Sequence, residues 1–437
     1  MTQTKLWNRD FLLWFLGSMQ SAFGTALAGI ATSFLVLHQT GSAGAMGFNL
    51  ALSMLPGLLS PFMGVLVDRW PVKPPLILGN LLRGVLQLGI GFLALRGHLP
   101  VEAVYVTSFL TGLIGAFYTP AATGMVSRLV PTNQLERAVG LVQGTAEAMT
   151  MLGLIGGGFL VATIGRANAL LLDGLSFLVF SVLFLFIKLP PRQRRLAEEK
   201  YWDTFKAGLN YVKSSPVLMG MAVLGLVLNA AFAPLDMLLP KRMLALGAGE
   251  AGYGLFFGLL LGGSVVGSLI FATLGSRVNA WVTSVVSLIL MGVGAIGLAF
   301  STTAFQMYII AACFGLANAL VNMCMGVIFQ KRVEPEYFGR VGALDNAVGT
   351  LGMPLTLLLL VPVADRLSIS AIFMVLGVLT MLAAVCWALL IRLENEKPKH
   401  PAQLAELGSQ ASDGSPEMAI EVLPTFPSAA SLESGPR

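Results

Sequence analysis

Apolar runs of about 20 residues recur along this chain, and that recurrence restricts the fold more than any single motif does. A run of that length is what an α-helix needs to cross the hydrocarbon core of a bilayer at 1.5 Å per residue. Twelve are present: 11–37, 44–67, 75–95, 101–125, 138–162, 168–187, 217–240, 252–274, 279–300, 304–328, 340–362 and 369–391. The runs are continuous and lack the alternation of lipid-facing and lumen-facing residues of a barrel strand, so helices are expected rather than strands. Composition agrees. Of the 437 residues, 56% are apolar and 11% charged, against about 25% charged in a soluble domain. The first run follows Lys5 and Arg9. It exceeds the roughly 7–15 residues of a signal-peptide core, so it reads as a retained span. The expected fold class is an all-α membrane protein with twelve transmembrane helices.

The basic residues give the expected orientation. The formal net charge is +5, but the cations sit in short loops, so a lipid bilayer and not nucleic acid is the expected partner. Counting the N-terminus, the even-to-odd loops and the C-tail as one side gives 21 Lys and Arg there and 5 on the other, with Arg83 inside a span. Both termini are therefore expected in the cytoplasm and the protein in the cell membrane. Cys313, Cys324 and Cys386 fall inside apolar runs, and His38, His98 and His400 are far apart. Neither set suggests a disulfide framework or a metal site.

One long polar segment, 188–216, separates six runs from six. It carries Arg192, Arg194, Arg195, Glu198, Glu199 and Lys200 and is expected to include a short amphipathic helix at the membrane surface. The expected division is therefore 1–187, 188–216, 217–391 and a tail, 392–437. The tail is rich in Pro, Ser, Ala and Glu and reads as disordered. The halves repeat. Val130, Arg137 and Leu141 follow the fourth run, and Val333, Arg340 and Leu344 follow the tenth, each pair 203 positions apart. Two pseudo-symmetric six-helix halves are the expected architecture.

These residues resemble the major facilitator superfamily and, within it, the macrolide-efflux and enterobactin-exporter-like branch. The resemblance covers about residues 8–391. It rests on Asn8-Arg-Asp-Phe11, Gln20-Ser21, Thr40-Gly-Ser42, Leu55-Pro56, Gly64-Val-Leu-Val-Asp68-Arg69, Asn80-Leu-Leu-Arg83 and the two repeated segments. The signature after the second run usually continues with Gly and two basic residues; Pro71 and Val72 stand there instead and Lys73 keeps the last. Ser108 stands where many proton antiporters of the family have Arg, and Gly153-Leu154 lacks their proline. The resemblance implies a secondary transporter in which Asp68 and Arg69, with Arg137 and Arg340, form an inner gate beside the start of span eleven. A carboxylate there meets the positive end of a helix and a nearby guanidinium.

Charges inside spans cost on the order of 2.5–3.5 kcal/mol each at a helix centre and persist where they face a cavity or a partner. Arg83 lies about 12 Å into the third run and Glu147 about 14 Å into the fifth at 1.5 Å per residue, both entered from the N-terminal side. Glu147 is the first candidate for a proton or cationic-substrate site, and a static Arg83–Glu147 pair is the alternative. Asp173, Asp236 and Asp345 lie nearer span ends; Asp236, between Pro234 and Pro240, is the best placed of them for an outer gate. Gln20, Ser21, Thr25, Asn49, Gln143, Asn229, Asn318 and Asn322 are candidates for the cavity lining, with interhelical hydrogen bonding as the alternative.

The chain has no G-x-x-x-x-G-K-[ST] and no H-E-x-x-H or G-x-S-x-G pattern, so neither ATP hydrolysis nor hydrolase chemistry is expected. No cofactor is expected. The expected activity is export of amphipathic organic compounds by a monomer, driven by an ion gradient, with the proton as the coupling ion. A metabolite importer on the same fold and a non-transporting membrane sensor are the alternatives.

Overall fold

A computed structural model describes residues 6–60, 63, 71–189, 201–334 and 337–395. Among them there is no strand. The long helices are α1 (Arg9–Thr40), α2 (Ala43–Met54), α3 (Lys73–Leu95), α4 (Val101–Thr123), α5 (Leu135–Ile164) and α6 (Arg166–Phe186). The second set is α7 (Pro216–Ala245), α8 (Gly249–Leu274), α9 (Ala280–Phe300), α10 (Ala304–Arg332), α11 (Phe338–Leu360) and α12 (Ile369–Asn395). Eleven are long and apolar enough to cross a membrane. The exception is α2, extended by a 3-10 turn over Leu55–Leu59, because most of the rest of its expected span lies outside the described residues.

Local chemistry sets the helix starts. Asn8 accepts from Phe11 N–H at 2.9 Å and donates through Nδ2 to the Leu129 carbonyl at 2.7 Å, which caps α1 and ties it to the turn after α4. Ser42 caps α2, and Ser215 with Pro216 at the first helical position starts α7. Thr303 and Gln306 form a capping box on α10. The helices overrun the apolar runs by several residues at many ends, α7 continuing through Lys241 and Arg242 to Ala245. Hydropathy stops where the bilayer stops, whereas the backbone continues to pair its own groups.

Large apolar side chains point outward: Val282 and Val293 on α9 and Val375 and Leu382 on α12 are more than half exposed. In water each Å² so exposed would cost about 25 cal/mol; against lipid tails it costs nothing. What holds the helices together is close packing and a few buried hydrogen bonds. Trp387 Nε1, for instance, donates to Ser284 Oγ at 3.0 Å between α12 and α9.

The packing repeats as the sequence does. In the first half α1 packs on α5, α2 on α4 and α3 on α6; in the second, α7 packs on α11 and α8 on α10, and α9 meets α12 where Gly292 faces Gly377. A Cβ at Gly112 would overlap the Ser53 carbonyl oxygen, and one at Gly315 the Leu260 carbonyl oxygen. These two positions are 203 apart, the interval of the Arg137–Arg340 repeat. The halves meet through α5 on α8 and α2 on α11, two contacts that the same six-helix shift interchanges.

The helices alternate in direction, so the loops divide between two faces. The near face carries the start of α1, and the far face carries the α1–α2, α5–α6, α7–α8 and α11–α12 connections. Within 188–216 a surface helix forms at Tyr201–Ser214. Its Tyr211 ring stacks on Tyr337 at 4.4 Å, and its hydroxyl accepts from the Glu334 N–H at 3.1 Å. The charged cluster at 192–200 and the tail from 396 lie outside the described residues.

Gly315→Leu is expected to destabilise the fold by about 1–3 kcal/mol or more through overpacking, seen as a lower midpoint of thermal unfolding in detergent. Gly326→Ala, where nothing lies within 4 Å of the added carbon, serves as the unaffected control.

Candidate functional site

A stripe of small polar residues runs along α1, and two cavities share it. The first, of about 530 Å³, lies where the halves face each other. Helix α1 lines it with Trp14, Ser21 and Thr25, and α4 and α5 add Tyr118 and Thr150. From the other half come Asp236 on α7 and Tyr253 on α8. Its walls are mainly apolar and aromatic, and its acidic side chain comes from Asp236.

The second cavity, of about 230 Å³, is a side chamber inside the first half. Asn49, Arg83, Gln87, Thr107, Thr111 and Asp173 line it. Asp173 is 2% exposed and Asn49 6%. The Gln87 and Ser176 side chains lie beside the Asp173 carboxyl, but among the described residues the Asp173 Oδ1, Asn49 Oδ1 and Arg83 Nε atoms have no well-aligned hydrogen-bond partner. The Arg83 guanidinium instead lies over the rings of Tyr118, 5.0 Å from its centroid, and Phe177, at 5.7 Å. Thr25, Gly29, Ser33 and Leu50 line both cavities.

The far face is closed by polar contacts between the halves. Asp365, in the α11–α12 connection, accepts from the Ser42 hydroxyl and from the N–H groups of Ala43 at 2.9 Å and Gly44 at 3.3 Å. A carboxylate is thereby seated on the N-terminus of α2, where exposed N–H groups and the helix dipole favour a negative charge. Lys241 of α7 adds an ion pair at 3.0 Å, but both partners are more than a third exposed, so the pair itself is worth little. Partial burial on its own would raise the Asp365 pKa; the bonds from Ser42, Lys241, Ala43 and Gly44 outweigh it and bring the value down to about 2. The latch is therefore fully charged above the ordinary carboxylate value of about 3.9 and is lost only as the pH falls through about 2.

Arg166 bridges the halves a second time. Its Nε and an Nη donate to Glu250 Oε1 at 3.0 and 2.8 Å, and the Nη also meets His38 Nε2 at 3.0 Å. Below these bonds Gly158 and Gly254 let α5 and α8 touch; a Cβ at Gly158 would come within 2.6 Å of the Glu250 carbonyl oxygen.

The other expected site residues are distributed as follows. Asp68 and Arg69 lie outside the described residues. Arg137 is exposed at the start of α5, and the Arg340 guanidinium lies 5.7 Å from the Tyr337 ring centroid. Glu147 and Gln143 are exposed and share a face of α5 with Thr150, which lines the central cavity. Arg83 makes no ion pair with Glu147 and faces Asp173's chamber instead. Gln20 donates to the Ser176 carbonyl at 2.8 Å, joining α1 to α6. Asn229 donates to Gly225 O at 2.9 Å on its own helix, and Asn322 reaches both Asn318 oxygens, O at 2.9 Å and Oδ1 at 3.1 Å. Asp345 is half-buried on α11.

Sequence reasoning missed Asp365, Glu250, Tyr118 and Tyr253. Ser42 before an apolar run was a readable helix cap, but its partner Asp365 is 323 residues away, and nothing local pairs them.

A double variant Ser42→Cys/Asp365→Cys, in a background lacking Cys313, Cys324 and Cys386, is expected to form a disulfide under mild oxidation and to hold the far face shut. A gel-shift assay reads it; absence of the cross-link would count against this closure.

A family model described as Major Facilitator Superfamily matches residues 13–355 and again 235–430. Macrolide efflux protein A of Streptococcus pyogenes is 24% identical over 388 residues, covering 87% of this chain and 96% of that protein. Multidrug efflux pump Tap of Mycobacterium tuberculosis (strain ATCC 25618 / H37Rv) is 25% identical over 394 residues, covering 88% and 93%. Among solved structures, the nucleoside transporter NupG superposes with a TM-score of 0.70 at 11% identity, covering 88% of this chain and 99% of that one.

Proposed function

This chain belongs to the major facilitator superfamily, and from that premise we propose that it is a gradient-driven exporter of amphipathic organic compounds such as drugs, macrolides or siderophore-like metabolites. The observation that carries the reading is the central cavity. Its roughly 530 Å³ is within the range of about 300–1,000 Å³ typical of sites for drug-sized ligands. Trp14, Tyr118 and Tyr253 offer faces to a flat apolar body or a cationic amine. Asp236 offers the balancing charge from the opposite half. The efflux proteins named among the relatives support the outward direction.

The excess of Lys and Arg makes the near face cytoplasmic. The closed far face is then the outer one, and this conformation loads substrate from the cell interior. In the opposite state the halves rock about the fixed site, the Asp365 and Arg166 contacts part, and Asp68, Arg69, Arg137 and Arg340 close the inner face. One chain encloses the whole path, so a monomer suffices. The proton is the coupling ion, and one of the intramembrane acids Glu147, Asp173 and Asp236 carries it, with Arg83 as a neighbouring charge.

Efflux of a lipophilic cationic dye and of a macrolide from cells making the protein tests this. Both are expected to accumulate less than in control cells, and a protonophore is expected to abolish the difference. Asp236→Asn is expected to raise the half-saturating dye concentration about tenfold, equivalent to about 1.4 kcal/mol, and to spare an uncharged substrate. Unchanged accumulation of both compounds would sink the reading. Glu147→Gln with full transport and full protonophore sensitivity would remove Glu147 from proton handling.

A further inference from the structure

We infer that the side chamber of the first half is the site of the exchangeable proton, separate from the substrate cavity, with Asp173 as the carrier and Arg83 as the group that relays its charge state to the substrate wall. This rests on the gradient-driven reading and assigns its ion site.

The chamber is built for two charges that do not touch. A Cβ at Gly24 of α1 would come within 2.8 Å of both Asp173 Oδ1 and Ser176 Oγ, and one at Gly115 of α4 within 2.7 Å of an Arg83 Nη. Glycine on each neighbouring helix thus makes the niche in which each ionic group lies. Asp173 is almost wholly buried beside the hydrogen-bonding side chains of Gln87 and Ser176, yet among the described residues its Oδ1 finds no well-aligned partner, and neither do Asn49 Oδ1 and Arg83 Nε. Unpaired polar atoms in a membrane interior are costly unless water or an exchangeable ligand meets them. A polar cavity of about 230 Å³ has room for several waters, each able to bridge two or more of these atoms.

The charges decide which ion enters. The titratable and charged groups facing Asp173 from the packed helices are Arg83 of α3 and, behind it, Tyr118 of α4. Helix α1 presents no titratable side chain to the chamber, its polar groups there being Thr25, Thr32 and Ser33, and Glu147 of α5 is exposed and does not line it. A sodium ion would add a second positive charge beside the guanidinium. A proton adds the same single charge, but it is taken into the covalent O–H bond of the neutral acid, whereas sodium stays a separate cation that several oxygens must hold beside the guanidinium. The chamber therefore takes a proton in preference to a metal cation.

Arg83 connects this event to the substrate. Its guanidinium lies over Tyr118, whose ring lines the central cavity. Deprotonation of Asp173 gives the guanidinium an anion to approach and draws it away from the ring; protonation releases it back onto Tyr118. A cationic substrate competes with the guanidinium for the same aromatic face, which is the opposition that exchange of a proton for a substrate requires.

The test uses the full-length protein in liposomes with the proton itself as probe, read by difference infrared spectroscopy during a pH titration. A protonated-carboxyl band is expected on acidification. It is expected to be lost in Asp173→Asn and kept in Glu147→Gln and Asp236→Asn. Arg83→Gln is expected to keep the band and move its midpoint to higher pH, since a neighbouring cation is gone. Sodium at fixed pH is expected to leave the band unchanged. A band that survives in Asp173→Asn, or that sodium suppresses, overturns the assignment. If Asp173→Asn does not fold, Asp173→Glu and Arg83→Gln carry the test, and midpoints unmoved in both overturn it. Transport in the same liposomes separates the two readings. A wild type that shows the Asp173 band but expels neither dye nor macrolide overturns the exporter reading alone. Undiminished proton-driven dye efflux by Asp173→Asn overturns the proton site alone.

Discussion

Hydrocarbon offers no hydrogen bonds, and the architecture depends on that. Every backbone N–H and C=O within the bilayer must be satisfied by the segment itself, which leaves helices as the solution for runs of this length. Once the helices form, lipid tails are as apolar as their side chains, so the hydrophobic effect no longer sorts inside from outside. Leu359, 75% exposed on α11, is as well placed as a buried leucine would be in a soluble core. What remains to bring helices together is close approach and polar contact. The overlaps that Gly112 and Gly315 avoid, and the Trp387–Ser284 bond, are where that association is visible.

The same solvent explains where the chain keeps its polar groups. A charge facing lipid is costly, so Asp236 faces the central cavity and Arg83 and Asp173 a chamber behind it. Helix α1 forms the wall between the two, with Thr25 and Ser33 belonging to both. Contacts between the halves are of another kind. Asp365 on the α2 N-terminus and Arg166 on Glu250 sit at the far face, where water screens them. Contacts that must part during a transport cycle are better made from such individually weak bonds than from a dry apolar interface.

Much of this was legible in the chain. The helix count and order follow from the apolar runs, and the two-half plan from the interval that separates Arg137 from Arg340 and, in the structure, Gly112 from Gly315. The site was less legible. Glu147 and Arg83 are at similar depth, but depth along a helix does not give azimuth, and the two face different spaces. Gln20 was a cavity candidate by polarity alone, and its amide is used to join α1 to α6. Tyr118 and Tyr253 gave no signal, since an aromatic residue in an apolar run looks the same whether it faces lipid, core or cavity.

The sequence by itself determined the solvent, the secondary structure and the repeat, because these depend on hydropathy summed over windows and on local backbone chemistry. The tertiary structure alone decided which polar residues share a cavity, which pair of helices carries each contact between halves, and that Ser42 and Asp365 meet across 323 positions. Those outcomes depend on how helix faces are rotated against one another, a choice made by small-residue packing between distant segments to which a single apolar run carries no reference.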